Sequence, residues 1–515
     1  MKKNLLSLAV AASAAGIAGV ASAQMYLNAE GTGEALVYAL YSADGGNDTY
    51  VHIVNTTDQA KAVKVRMVEG EESLETLDFN LYMSPLDHYG FVITVDGEGA
   101  KIDTADNSCT VPTIPEGGQP FSTLLWAADS DNPTAAESNR TRTGYIEVIE
   151  MGQIVDASDT YADILHGATG EPGDCAQLTT NWTSGGAWYE EADADLVGND
   201  PDTGKPLTLA TVGVTDFDPV WNGGGLYGVA TVINVAEGTA FGYDAAAIED
   251  LVEAAAEGSV LHYPPGDTRP DFDDPAMADT ATVNVNGAQT TYTKATISQN
   301  YGPVSAVFMT ASLSNDYVVD PAIGALTDWI VTMPTKSNHW DGTDLDAPFT
   351  NTLGGEALTG DNLYCQPVGM TAYDREEQEQ DQPVATPEGP GFSPSVRPDP
   401  EDPVDWLICN ETNIVHFNPT TSAVNGPGTL LADASGFVGD WPAGWAVMGL
   451  TEASVQNTMD NPRTLPGAVG GQNGAMRGLP VTGFAVVEYV NGDVGGTKAN
   501  YQSAWVHKTD VVASD

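Results

Sequence analysis

Apolar residues recur at every second position through several runs between Thr49 and Val95. Val63, Val65 and Met67 alternate with Ala62, Lys64 and Arg66; Leu77, Phe79, Leu81 and Met83 alternate with Asp78, Asn80 and Tyr82; Tyr89, Phe91, Ile93 and Val95 follow the same rule. A period of two gives each run one apolar face, as in a half-buried strand. Turn-forming clusters separate the runs, at residues 55–58 (NTTD), 70–73 (GEES) and 84–87 (SPLD),. Links this short predict antiparallel neighbours. With an earlier strand at 34–41 and a turn at 44–48, residues 25–112 read as a five-strand antiparallel meander.

A sheet with one apolar face needs a cover, and a second sheet is the usual one. Later runs at 144–151, 226–235, 280–293 around the Asn286-Gly287 turn, and 304–313 are expected to supply it, so the layers are shared between distant parts of the chain. Further strands are expected at 413–417, 444–450 and 481–490. The fold class that follows is mostly β: antiparallel β-sandwiches, immunoglobulin-like in style, with one peripheral helix and a long disordered loop. The helix is expected over 244–257 (DAAAIEDLVEAAAE), capped by Asp244, striped by Ile248, Leu251, Val252 and Ala255, and stopped by Gly258,. A lesser helix is expected over 157–166. Segment 374–405 is charged, Pro-rich and aperiodic, and reads as the disordered loop,.

Residues 1–23 have the make-up of a signal peptide: Lys2 and Lys3, a largely apolar run from Leu5 to Val20, then Ala21-Ser22-Ala23,. The expected organisation is therefore a leader, an N-terminal sandwich region over 24–150, and a second β-rich region over 151–373 that strands in 406–515 complete after the loop. No later apolar run reaches the length of a membrane-spanning helix,. The destination is the periplasm, the cell surface or the extracellular space. Four cysteines, Cys109, Cys175, Cys365 and Cys409, are an even number in an exported chain, so disulfides are expected,. Of three possible pairings, Cys109 with Cys175 and Cys365 with Cys409 is preferred because local closure is easier to satisfy.

Charge narrows the partners. The formal net charge is −54, and loss of Lys2 and Lys3 makes it −56, since the leader holds no Asp or Glu. Nucleic acid is excluded by such repulsion, and divalent cations are the natural counterpart. Calcium suits three loop clusters of hard oxygens: Asp129, Asp131 and Asn132; Asp271, Asp273 and Asp274; Asp341, Asp344 and Asp346,. None has the spacing of the twelve-residue calcium loop, and solvated turns are the simpler expectation for each. Trp182 and Trp188 stand beside Glu190 and Glu191, a combination of aromatic platform and acid that suits a glycan,. An acidic loop anchored by its tryptophans is the simpler account. Lys61, Lys64 and Arg66 concentrate scarce positive charge on one strand, either to dock an acidic neighbour or, more simply, to pair with Glu75 and Asp78 and protect a sheet edge,.

Catalytic signatures are missing from the sequence: it has no G-x-S-x-G elbow, no H-E-x-x-H helix and no C-x-x-C pair, and the seven histidines stand singly,. Residues 198–205 (GNDPDTGK) depart from a phosphate loop by one residue between the glycines and by the Pro206 that follows.

Segments 54–85, 144–152, 225–244, 327–336 (TDWIVTMPTK) and 479–489 (LPVTGFAVVEY) together resemble a family of uncharacterised exported proteins of Gram-negative bacteria, sometimes labelled cell-surface proteins. The resemblance implies export and a shared β-rich fold, and brings no functional residue with it. The expected function is a non-enzymatic exported structural or adhesion protein of the surface or extracellular matrix, acidic and calcium-binding, that self-associates or binds a cell-surface polymer. The alternative is a glycan-binding protein or glycosidase acting on an extracellular polysaccharide.

Overall fold

Strands that follow one another in this chain mostly do not lie beside one another in space. The computed structural model describes residues 24–127, 135–188, 216–218, 223–252, 261–296, 299–342, 344–350, 365–381, 406–418, 421–424, 431–434, 441–455 and 461–513. Ala35–Ser42 and Ala60–Glu69 belong to a seven-stranded sheet, and Thr143–Ile154 lies between them, antiparallel to both. Asn47–Asn55 and His88–Asp96 belong to a six-stranded sheet with Leu226–Asn234. The two sheets share a core of Leu36, Tyr38, Val63, Val65, Phe79, Val51, Ile53, Phe91 and Ile146. This corrects the meander. Between residues 35 and 103 the chain crosses from sheet to sheet after Ala35–Ser42, after Asn47–Asn55 and after Glu75–Met83, and only Ala60–Glu69 with Glu75–Met83 and His88–Asp96 with Gly99–Asp103 stay paired as hairpins. Apolar faces therefore meet across the sandwich instead of lining one sheet.

The seven-stranded sheet is buried on both faces. Ala35, Val37, Tyr82, Tyr145 and Ile149 point away from the first core into a second. That core is closed by a further antiparallel sheet containing Thr280–Val285, Ala288–Lys294, Thr464–Val469 and Gln472–Arg477, and by the Tyr301–Phe308 helix. The hairpin turn is at Asn286-Gly287, both with positive φ, as expected,.

A second double-sided layer is the sheet of Ala325–Thr332, Thr412–His416, Thr482–Tyr489 and Tyr501–Val506. Ile330, Ile414, Phe484 and Val486 pack on the first core, while Trp329, Val331, Val415 and Ala485 pack on a third. Its two central strands accordingly carry continuous apolar stretches, Trp329–Val331 and Phe484–Val487,. Ser312–Val318, Gln366–Asp374 and Ala443–Gly449 cover the far side.

Two helix expectations need correction. Residues 244–252 form no helix: Thr239–Asp244 pairs with Leu226–Asn234, and Ala246–Glu249 pairs with Ala35–Ser42. Asp250 then takes a positive φ of 54°. Residues 253–257 lie outside the described residues. Burial overrides the helical period here, because Ile248 and Leu251, both fully buried, fill the second core from an extended backbone,. Gly33 makes room, since a Cβ there would lie 2.3 Å from the Ile248 carbonyl oxygen. Conversely, the expected strand at 304–313 begins as the Tyr301–Phe308 helix and becomes strand only at Met309. Pro303 sits in its first turn, where a missing N–H costs nothing, and a helix buried almost all round carries no polar face to announce itself,. The lesser helix is present as Asp159–Ile164.

Both disulfides are as expected, Cys109–Cys175 and Cys365–Cys409. Of the segment 374–405, residues 374–381 turn back on the sheet, with Glu379–Asp381 pairing Thr371, Ala372 and Tyr373; 382–405 lie outside the described residues. No helix among the described residues is long and apolar enough to cross a membrane.

Candidate functional site

The polar face of Ala60–Glu69 is not solvated, because the second core covers it. Lys64 Nζ lies 2.5 Å from Asp78 Oδ2; Arg66 lies 2.8 Å from Glu75 through Nε and 2.5 Å from Glu147 through Nη1. On the opposite face, in phase with Val63 and Val65, Lys61 Nζ meets Glu150 Oε1 at 2.7 Å, with both side chains at zero exposure. Glu75 and Asp78 are the expected partners, reached diagonally, since the register sets Asp78 opposite Arg66 and Asn80 opposite Lys64. Glu147 and Glu150 come from Thr143–Ile154, on the strand's other side. Edge protection is thereby corrected: Ala60–Glu69 is an interior strand. Nor is this row open to a neighbouring subunit.

The same pairing continues outward. Arg140 reaches Glu69 at 3.1 Å and Glu72 at 2.9 Å, while Glu69 accepts the backbone N–H groups of Glu71, Glu72 and Leu74 and so shapes the turn. Lys336 lies 3.8 Å from Glu411 and donates to the Cys409 carbonyl at 2.9 Å, beside the second disulfide. Burial pushes the Glu411 carboxyl up to about 8, against the pull of Lys336. Glu34 is raised to about 8 by burial and by neighbouring Glu150.

Trp182 and Trp188 face inward. Trp188 is fully buried and stacks on Tyr82 with ring centroids 5.9 Å apart. The Trp182 indole N–H donates to the Tyr82 hydroxyl at 3.0 Å, and that hydroxyl lies 2.8 Å from His262 Nε2. Trp182, Trp188 and Phe217 enclose the imidazole, and burial, with Lys64 nearby, holds it neutral. These rings therefore form a core, and Trp188 offers no face to a sugar. Glu190 and Glu191 lie outside the described residues.

The Asp clusters are largely committed to their own loops. Asp271 accepts the Asp273 N–H; Asp274 accepts the Ala276 N–H and the Tyr263 hydroxyl at 2.9 and 2.8 Å. Asp273 receives the Tyr301 N–H at the start of the helix. Asp341 accepts the Asp344 N–H at 2.8 Å, and burial raises the Asp346 carboxyl, with Asp341 adding to the shift. Among the described residues no three or more His, Cys, Asp or Glu are arranged to hold a metal. Asp129, Asp131 and Asn132 lie outside them.

Two exposed arrangements escaped the sequence reading. On the outer sheet, Trp445 is 43% exposed and stacks on Tyr373 at 4.5 Å and 16°, in a cross-strand row whose ends are Asp316 and Glu379. On the six-stranded sheet, His52 Nδ1 and His88 Nε2 are 3.0 Å apart, although 36 positions separate them in the chain. Alternation with Tyr89 and Phe91 puts His88 on the polar face of its run; only the strand register shows which residues are neighbours.

Compared with family models, curated proteins and solved structures, the chain matches none.

Proposed function

We propose that this protein is a non-enzymatic structural component of a cell surface or extracellular matrix, exported by its leader, whose acidic exterior associates with divalent cations and through them with further copies or a surface polymer. The observation that carries this reading is where the charge goes. The sequence holds only 18 Lys and Arg against 72 Asp and Glu, and Lys61, Lys64, Arg66 and Lys336 are spent inside, tying strand to strand. The exterior is left with a carboxylate excess that only mobile or bridging cations offset. Two disulfides add a covalent hold suited to an oxidising compartment,.

Light scattering coupled to size-exclusion chromatography tests it, with calcium and then chelator, at low and high salt. Assembly that calcium promotes and chelator reverses is the expected result. A monomer unchanged in every condition, with no retention on cell-surface fractions, overturns it.

A second reading, a glycan-binding protein, is favoured by the Tyr373–Trp445 pair, not by Trp182 and Trp188. An exposed indole beside hydroxyl-accepting carboxylates is the chemistry that stacks on and orients a pyranose,. Trp445→Ala is then expected to abolish retention on a polysaccharide column that holds the native protein. Unchanged retention removes this site.

A further inference from the structure

The side chains of His52 and His88 project from neighbouring antiparallel strands, Asn47–Asn55 and His88–Asp96, on the outer face of the six-stranded sheet. Their ring centroids are 5.1 Å apart and the rings are tilted by 40°. His88 is exposed and His52 half-buried. The residue directly opposite His52 is Gly90; a Cβ there would sit 3.3 Å from the His88 ring and 3.5 Å from the His52 ring. The glycine keeps open the space beside the two nitrogens.

At 3.0 Å the nitrogens share one proton, because two protonated imidazoles so close repel,. A metal ion replaces that proton. Two nitrogens 3.0 Å apart, each about 2.0–2.1 Å from one ion, subtend about 95° at it. That is a cis angle of a tetragonal or octahedral centre, narrower than the tetrahedral angle zinc takes, and tetragonal nitrogen and oxygen sites are those of copper(II) and nickel(II). Copper(II) also leads the affinity order for a given imidazole set. Binding requires the exposed His88 ring to turn so that both lone pairs face the ion with the nitrogens still about 3 Å apart, and water completes the coordination,.

We infer that His52 and His88 form a two-imidazole surface site for a divalent transition metal, with copper(II) preferred. The carboxylate-rich exterior raises the local concentration of any divalent cation. The site stands independently of the calcium-linked assembly proposed above, since imidazole, not carboxylate, selects the ion.

The test is titration of the full mature chain with copper(II), in excess calcium to occupy carboxylates, followed by electron paramagnetic resonance and calorimetry. One copper per chain is expected, with hyperfine coupling to two nitrogens. His52→Ala and His88→Ala are each expected to weaken binding by roughly tenfold or more, at least the range that outer-shell partners of a metal are worth. His166→Ala, which removes a histidine bonded instead to Ser84 and Asn107, is expected to bind as the native chain does. His88 is exposed, so its variant keeps the fold, which circular dichroism checks. Native-like copper affinity in His88→Ala, or a native spectrum without nitrogen coupling, overturns the assignment.

Discussion

A lysine on a strand costs little while its nitrogen reaches water, and Lys61 has none to reach. Its side chain is fully buried, and among the described residues Glu150 is its one ion-pair partner at contact distance. Removing one member of such a pair leaves a bare charge in a poorly polarisable interior, at about 3–5 kcal/mol. Lys61→Met is therefore expected to lower unfolding free energy by that order in urea titrations. Adding Glu150→Gln, which still accepts the Gly224 N–H that Glu150 receives, is expected to recover most of it. A double variant as unstable as the single would show that the charge is not what matters. Glu34 makes the complementary case. The fold prefers its carboxyl protonated, with a value of about 8 against an ordinary 4.5. That contribution is full below the ordinary value and lost as pH climbs through about 8. The thermal midpoint is accordingly expected to fall between about pH 5 and about pH 8.5. Glu34→Gln, which keeps an acceptor for the Val252 N–H, is expected to make that fall shallower; an unchanged slope would contradict the assignment. Of the residues that carry these effects, Glu75 and Asp78 were legible as partners, since they lie one turn away on the next strand. Glu150 was not, because nothing in a linear pattern says which distant strand arrives on the other side.

At the scale of elements, the period of two found most strands, and it failed where burial is not one-sided. The alanine-rich segment from Asp244 has a helical stripe, yet Ala246–Glu249 lies at full extension beside Ala35–Ser42. The Tyr301–Phe308 helix is apolar nearly all round and so resembles a strand. Short apolar runs do not distinguish the two, and tertiary contacts decide. The close approach at Gly33 is the local condition for the extended choice: its missing side chain admits the Ile248 backbone. Gly33→Ala is expected to cost about 1–3 kcal/mol, as overpacking does, and to speed hydrogen exchange at the Glu34 amide, which donates to the Ile248 carbonyl. Native stability in that variant would mean the strand shifts freely, and the packing argument would fall.

Across the whole molecule, the sequence shows strand faces but not which face meets which. A reader of alternation assigns one side of Ala60–Glu69 to water; the structure covers both, and the charged side becomes an internal seam. The exposed His52 and His88 pair is likewise a product of register, invisible until two strands are laid side by side. The layered plan also sets an order in time. A chain made from its N-terminus has Ala35–Ser42 and Asn47–Asn55 early, but the strands flanking them, Leu226–Asn234 and Ala246–Glu249, emerge long afterwards. Phe484, which stacks on Tyr243 against that same core, comes nearly last. Distant pairings are slow to form. Until the last strands are made, the early ones lack the partners that cover their apolar faces, so the C-terminal segment is what closes the molecule.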